Sequence, residues 1–192
     1  MTLIGADDLK DWLGFPSISE SQDDAMTACI AAAAGALEKY WGRELVEADD
    51  EVVTARVFGT YGFTVRTDDF VGTPTLEESA DRTTWTAVTD PFWCGPDGND
   101  ATGTLYQVHL TDKAFERWVR VTAAYGLGAG LVADARQALL LKAARLWSRK
   151  KSPTMVEGTS DWGIVRVTSR EDPDIVSLLG ATRRLDRLAG LA

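Results

Sequence analysis

The chain has 192 residues, which is long enough for one core with an inserted lobe. Of these residues 45% are hydrophobic and 26% are charged, and this composition excludes a disordered protein. No apolar run approaches the roughly 20 residues that cross a bilayer, and the two cysteines indicate no disulfide framework. Residues 1–130 carry 9 Lys and Arg against 22 Asp and Glu, a net of −13, whereas residues 131–192 carry 11 against 7, a net of +4. An acidic body of this kind argues against a protein that wraps nucleic acid.

The first part of the chain has helical periodicity. A short helix is predicted over "GADDLKDWLGF", with Leu9, Trp12 and Leu13 on one face. A longer helix is predicted over 20–42, where apolar residues recur at steps of three and four. Within it, Ala31 to Ala36 are nearly all alanine and glycine. Side chains this small let another helix come close, and that helix belongs either to the same domain or to a neighbouring subunit.

The second part, residues 51–125, has the character of β-structure. Short runs rich in β-branched and aromatic residues alternate with Gly, Pro and Asp turns. These runs predict six short strands in an antiparallel sheet or small sandwich. They are "VVTARVF", "GFTVRT", "TPTLEES", "TTWTAV", "TLYQVHL" and "RWVRVTAAY".

The third part is helical again. A helix is predicted over 131–150, followed by a polar loop with a short strand from Ile164 to Thr168, and a last helix over 173–189. Helices at both ends of a β region predict an α+β fold, in which N- and C-terminal helices form a bundle and carry an inserted antiparallel β lobe. The predicted domains are a helical core, 1–50 and 126–192, and the lobe, 51–125.

The residues that usually carry catalysis or bind cofactors form no recognisable pattern. The single histidine, His109, has no companion at metal-ligand spacing and no G-x-S-x-G motif, so no catalytic, metal or cofactor site is expected. Adjacent acids such as Asp68 and Asp69 are expected on a solvated face. The glycines of "GLGAG" lack the lysine and hydroxyl of a phosphate loop, and predict a strand-to-helix turn with positive φ.

The order of these segments resembles the head–tail connector, or adaptor, family of long-tailed bacteriophages, over nearly the whole chain. The resemblance is carried by "LKDWLGF", "DDAMTACIAAAAGALEKYWGREL", "VRVTAAYGLGAGLVADARQALLLKAARLWSRKKSP" and "DWGIVRVTSREDPDIVSLLGATRRL". Two features depart from the family: no proline lies near Val132, and the β region from Gly59 to Phe115 is long.

The resemblance implies a structural role in the virion neck after assembly in the host cytoplasm. Family members form a ring, typically of twelve subunits, on the portal. Their expected partners are the portal ring, neighbouring copies, and a stopper or tail-completion protein. DNA passes through the ring without sequence-specific binding, and no membrane or cofactor is involved. Two alternatives remain, another virion part such as a stopper or tail-completion protein, and a small hydrolase that uses His109.

The basic, C-terminal part is expected to carry the interface. A tryptophan in a polar loop is either tucked onto its own domain or reserved for a partner, and a short strand can add to a partner's sheet edge. Cations suit docking onto an acidic surface. The predicted interface residues are Trp162, Ile164, Val165, Arg166, Val167, Arg149, Lys150, Lys151, Arg183, Arg184 and Arg187.

Overall fold

The structure is a computed structural model that describes residues 3–60, 62–89, 91–94, 104–110, 114–151, 156–157, 165–166 and 172–184. The helices in these ranges are α1 (Ala6–Trp12), α2 (Glu20–Trp41), α3 (Ala129–Lys151) and α4 (Pro173–Leu179). The strands of the main sheet are β1 (Thr54–Gly59), β2 (Thr64–Ser79), β3 (Thr86–Ala87), β4 (Phe92–Cys94), β5 (Leu105–His109) and β6 (Trp118–Tyr125). A separate pair consists of β7 (Val156–Glu157) and β8 (Val165–Arg166).

The ends of α2 follow from its sequence. Its first turn is closed by a capping box, in which the Ser19 backbone N–H donates to Gln22 Oε1 at 2.9 Å. Its last turn is closed by Gly42, which adopts the left-handed conformation with φ of 75°. Between these caps the helix runs for 22 residues, in agreement with the predicted range of 20–42.

The four helices share one apolar core. α3 packs against α1, α2 and α4, and residues from all four contribute buried side chains. Trp12, on the predicted apolar face of α1, is 46% exposed, and Leu9 is the residue of this helix that is buried. The largest fully buried members are Leu9, Met26, Leu37, Trp41, Leu127, Leu131, Ile175 and Leu179. Within the described residues, no helix has the length and apolar character of a membrane span.

The main sheet is antiparallel, with the strand order β1-β6-β2-β5-β4 and with β3 paired to β2. The α+β class and the antiparallel sheet predicted from the sequence are therefore confirmed. Two predicted strands, "GFTVRT" and "TPTLEES", are in fact one strand of 16 residues. Gly72 and Pro74 were expected to separate them. The chain accommodates both residues in an irregularity between Val71 and Thr75, where the register against β6 shifts.

The sheet curls around a second apolar core. Phe70 is fully buried at its centre and makes edge-to-face contacts with Trp93 and Tyr125, at centroid distances of 5.2 and 6.1 Å. Phe58 in β1 and Trp93 in β4 both pack against this core, although they come from opposite edges of the sheet. β4 itself was not among the predicted strands, since three residues are too few to show an alternation.

The glycine-rich segment is the turn that joins β6 to α3. Gly126 has φ of 142°, so the positive φ predicted for this turn is confirmed there. A Cβ at this position would lie 2.6 Å from the backbone nitrogen of Ala48. That close approach lets Leu127 and Glu47 form a parallel β-bridge.

The last helix is shorter than predicted. It was expected over 173–189, but α4 ends at Leu179 and residues 180–184 are not helical. The chain turns away from the helix axis so that the Arg184 backbone N–H can donate to the Trp41 carbonyl at 2.8 Å. Residues 185–189 lie outside the described ranges.

Candidate interface surfaces and the junction between sheet and helices

The predicted basic surface is present at the C-terminal end of α3. Arg149 and Lys150 are exposed in the last turn, and Lys150 Nζ lies 5.4 Å from the centre of the Trp147 ring. One turn earlier, Arg145 forms an ion pair with Asp172, the buried N-cap residue of α4. This pair fixes the start of α4 beside the C-terminal half of α3.

The structure separates the other described arginines from that surface. Arg183 is exposed at the C-terminus of α2, where its guanidinium lies 4.4 Å from the centre of the Tyr40 ring. Arg184, which was predicted as an interface residue, is only 3% exposed. The reason is that Arg184 enters the space between α2 and the sheet, so its side chain offers no free surface to a partner in this conformation.

The remaining predicted interface residues are described in part or not at all. Val165 and Arg166 form β8, and their backbone pairs antiparallel with Val156 and Glu157. The short strand predicted at this place therefore has one partner already. The side chain of Lys151 lies outside the described part of the chain. The same holds for the predicted interface residues Trp162, Ile164, Val167 and Arg187.

A buried ionic cluster joins the helices to the sheet. Asp69 Oδ1 in β2 accepts a hydrogen bond from Arg43 Nη1. The same oxygen lies 3.4 Å from Arg184 Nη1. Arg184 Nη1 also donates to the Thr67 carbonyl at 2.9 Å, and Arg43 Nε donates to the Thr182 carbonyl at 2.8 Å. The three charged side chains thus connect the segment after α2, the strand β2 and the segment after α4.

Aromatic side chains and backbone groups complete the cluster. The Tyr106 ring lies 5.1 Å from the Arg43 guanidinium and 4.3 Å from that of Arg184, within the range of cation–π attraction. The Asp69 carbonyl accepts the Gly126 backbone N–H at 2.8 Å, whereas Asp69 Oδ2 has no hydrogen-bond partner within the described residues.

Burial and attraction oppose each other in this cluster. Burial raises the pKa of the Asp69 carboxyl, and the two guanidinium groups counteract that rise. Burial also lowers the pKa of the Arg43 guanidinium, against the attraction of Asp69. Because opposite charge within the cluster offsets much of this desolvation, removal of one member leaves a buried charge without its counter-charge. The cluster therefore holds the sheet in one orientation on the helices.

The sequence contained a signal for this cluster that was not used. Asp69 was expected on a solvated face, but it is only 6% exposed. Val65 and Thr67, which precede it at steps of two, are also buried. A strand places residues at steps of two on one face, so this alternation indicates that Asp69 points inward.

The alanine-rich part of α2 has an inward and an outward face. Ala33 is fully buried in the helical core. Ala31, Ala32 and Ala36 are exposed, and a Cβ added to Gly35 would meet nothing within 4 Å. The inward face packs within the chain, and the outward face remains available for the second alternative, a neighbouring subunit.

A cleft of about 490 Å³ opens where the segment before β1 meets the turn after β6. Its wall includes the acidic residues Glu47 and Asp50, together with Val53 and the first residue of α3, Ala129. β1 follows directly and forms one edge of the sheet. Val57 on this strand is 45% exposed. Acidic, apolar and strand-edge surface thus lie side by side.

The residues considered for chemistry have ordinary surroundings. His109 is half-buried in β5, and its Nδ1 lies 2.9 Å from Thr64 Oγ1 on the paired strand. In the part of the chain that the structure describes, no three His, Cys, Asp or Glu side chains are grouped as metal ligands would be. Cys29 and Cys94 are free thiols.

Comparisons with known proteins show where this fold occurs. No family model matches the chain, and no curated protein matches it either. A chain in the solved structure described as "Neck of empty GTA particle computed with C6 symmetry", where GTA denotes a gene transfer agent, is similar in fold, with a TM-score of 0.54. The match covers 94% of this chain and 89% of the other, at 17% sequence identity. The two chains therefore share an overall fold.

Proposed function

We propose that this chain is a structural protein of the neck of a tailed phage or phage-like particle. The observation that carries the proposal is the fold shared, over 94% of this chain, with a protein in the neck of a gene transfer agent particle. The segment order that resembles the connector family supports the same role. Fold alone does not fix function, so the surfaces of this chain must also suit the role.

Within the neck, we assign the chain to the adaptor position. Copies form a closed ring on the portal, extend the DNA channel and present a platform to the next neck protein. In this proposal the four helices act as the connector bundle, with the sheet as an inserted lobe. The ring has twelve subunits, a number compatible with the sixfold symmetry with which the similar neck was computed.

The surfaces of the chain suit such a ring. In a closed ring each subunit presents two different faces to its two neighbours. The exposed small residues of α2, Ala31, Ala32 and Ala36, provide one face that a helix can approach closely. Arg149 and Lys150 provide a cationic surface for an acidic partner. We assign no catalytic role to His109.

Cryo-electron microscopy of the particle that carries this protein tests the proposal. We expect the chain in a ring seated directly on the portal. A ring placed below the adaptor layer would assign the chain to the stopper or tail-completion position instead. Absence of the chain from the purified neck, in particles that contain portal and tail, would contradict the proposed function.

A further inference from the structure

Among the strands that the structure describes, β1 forms one edge of the main sheet. This strand pairs with β6 along one side, in continuous register from Thr54 to Gly59, and no described strand lies along its other side. β1 also contains no proline, which is one of the devices that block the addition of a strand. An edge of this kind can accept an extended segment through backbone hydrogen bonds.

The surroundings of β1 define which segment would fit. Val52 and Val53 are more than half exposed immediately before the strand. The preceding residues Glu47, Asp49, Asp50 and Glu51 are all exposed, and none of them forms an ion pair with a described residue. A matching segment therefore needs β-branched residues for the valines and cations for the carboxylates.

The chain itself contains a segment of this composition. Residues 164–170 have the sequence Ile-Val-Arg-Val-Thr-Ser-Arg, with four β-branched residues and two arginines. They belong to the part of the chain with a net charge of +4, whereas the edge belongs to the part with −13. At Val165 and Arg166 the segment is already a strand, paired on one side with β7.

The cleft beside β1 and the described residue that follows this segment, Asp172, lie along different halves of α3. The cleft beside β1 lies at Ala129, the start of α3, whereas Asp172 is fixed to Arg145. Ala129 and Arg145 are separated by about 24 Å at 1.5 Å per residue of helix. Arg170 lies only two residues before Asp172, about 7 Å of extended chain, which is short of the distance between the two ends, so the chain's own segment would reach the edge only with its first residues. A second copy does not have this restriction.

We propose that the open edge of β1, with the acidic residues before it, binds residues 164–170 of a second copy. The contact joins two different surfaces of the chain, so each copy can donate one segment and receive another, as a closed ring requires. This inference rests on the ring assembly proposed above and identifies one of its contacts.

Charge exchange tests the contact on the full chain. One variant carries Glu47→Lys with Asp50→Lys, and a second carries Arg166→Glu with Arg170→Glu. The first variant neutralises the four acids before β1, and the second variant makes both surfaces negative, so in each we expect self-association at least tenfold weaker in sedimentation velocity. When the two variants are mixed, the introduced lysines can face the introduced glutamates while the unchanged acids face the unchanged arginines, and we expect association to return toward the parent level.

A matched control is Asp23→Lys with Asp24→Lys, two exposed acids near the start of α2 and far from β1 in sequence. This control changes the net charge by the same amount and is expected to leave association within twofold of the parent. Equal weakening by the control, or failure of the mixture to recover, would overturn the proposal.

Cross-linking identifies the occupant of the edge. In a background with Cys29→Ala and Cys94→Ser, Val53→Cys and Val167→Cys are placed on separate copies and mixed under oxidising conditions. We expect a disulfide-linked dimer. If a chain with both cysteines instead forms the bond only within itself, its own segment fills the edge and the proposal is wrong.

This result is separable from the proposed function. A ring on the portal without recovery in the charge-exchange mixture would keep the function and reject this contact. Recovery in solution, with no copy of the chain in the neck, would keep the contact and reject the function.

Discussion

Asp69 lies between two arginines that come from opposite ends of the chain, Arg43 after α2 and Arg184 after α4. Its carboxylate is buried, so the attraction it exerts is weakly screened by water and salt. The ion pair of Arg56 with Asp68 is only partly buried, so it is screened more and contributes less. Asp69 and Asp68, although adjacent in one strand, are therefore expected to contribute very differently to the stability of the fold.

Replacement of Asp69 tests this difference. We expect Asp69→Asn to lower the free energy of unfolding by about 3 kcal/mol or more, because two buried guanidinium groups lose their counter-charge. Urea unfolding followed by circular dichroism measures the change. The matched control, Asp68→Asn, is expected to cost about 1 kcal/mol or less. Equal costs for the two variants would show that the buried cluster adds no particular stability.

The turn after β6 offers a second test at single-residue scale. Gly126→Ala forces a side chain into positive φ and places its Cβ against the backbone of Ala48. We expect a loss of about 3 kcal/mol from conformational strain and overpacking together. Gly72 also has positive φ, but a Cβ there would meet nothing within 4 Å. Gly72→Ala should therefore cost only about 1 kcal/mol.

At the scale of elements, long periodic segments were predictable and short or irregular ones were not. The apolar steps of three and four predicted the ends of α2 and α3 within two residues, because in a long helix many apolar side chains recur on the same face. β2 was divided in two because Gly72 and Pro74 are typical turn residues, while the irregularity that accommodates them depends on the paired strand. The helix α4 was predicted too long because the chain leaves it to form the hydrogen bond between Arg184 and Trp41, and Trp41 is distant in sequence.

The small-residue surface on α2 permits a test of assembly. We expect Ala36→Trp to change the stability of the free chain by no more than about 0.5 kcal/mol, since position 36 is exposed. The same change should prevent ring formation, because a bulky side chain keeps a neighbouring helix away. Negative-stain microscopy of portal-bound assemblies measures the outcome. Ala80→Trp, at an exposed position after β2, is the control and should assemble normally.

The site was less predictable than the fold, for a reason that concerns distance along the chain. Arg184 lies in a basic segment whose composition is typical of protein surfaces. Its burial is explained by its contacts with Thr67 and Asp69, which are more than 100 residues earlier in the chain. Local pattern cannot report such a contact. The exposure of Arg149 and Lys150, by contrast, follows from their place at a helix end.

For the whole molecule, we expect weak self-association in free solution and a closed ring in the presence of portal. Each contact between two subunits is small, and binding to a ring of sites raises the effective concentration of neighbours. Mass photometry with and without the portal of the same particle measures this difference. Added salt should weaken assembly, because acidic and basic surfaces attract. A stable twofold dimer that ignores portal would contradict the expectation.

The contact between Asp69 and Arg184 also determines at what stage of synthesis the fold can be completed. The two residues are 115 positions apart, and a ribosome adding roughly 5–20 residues per second needs about 6–23 s to pass from one to the other. During that interval the nascent sheet can pair and Arg43 can reach Asp69, but the second guanidinium does not yet exist. The sheet and the helices are thus fastened in their final orientation only after Arg184 has been synthesised. A growing chain cannot hold the sheet and the helices in this orientation before then, so in the proposed ring a subunit would become competent for assembly only once this arginine has joined the cluster.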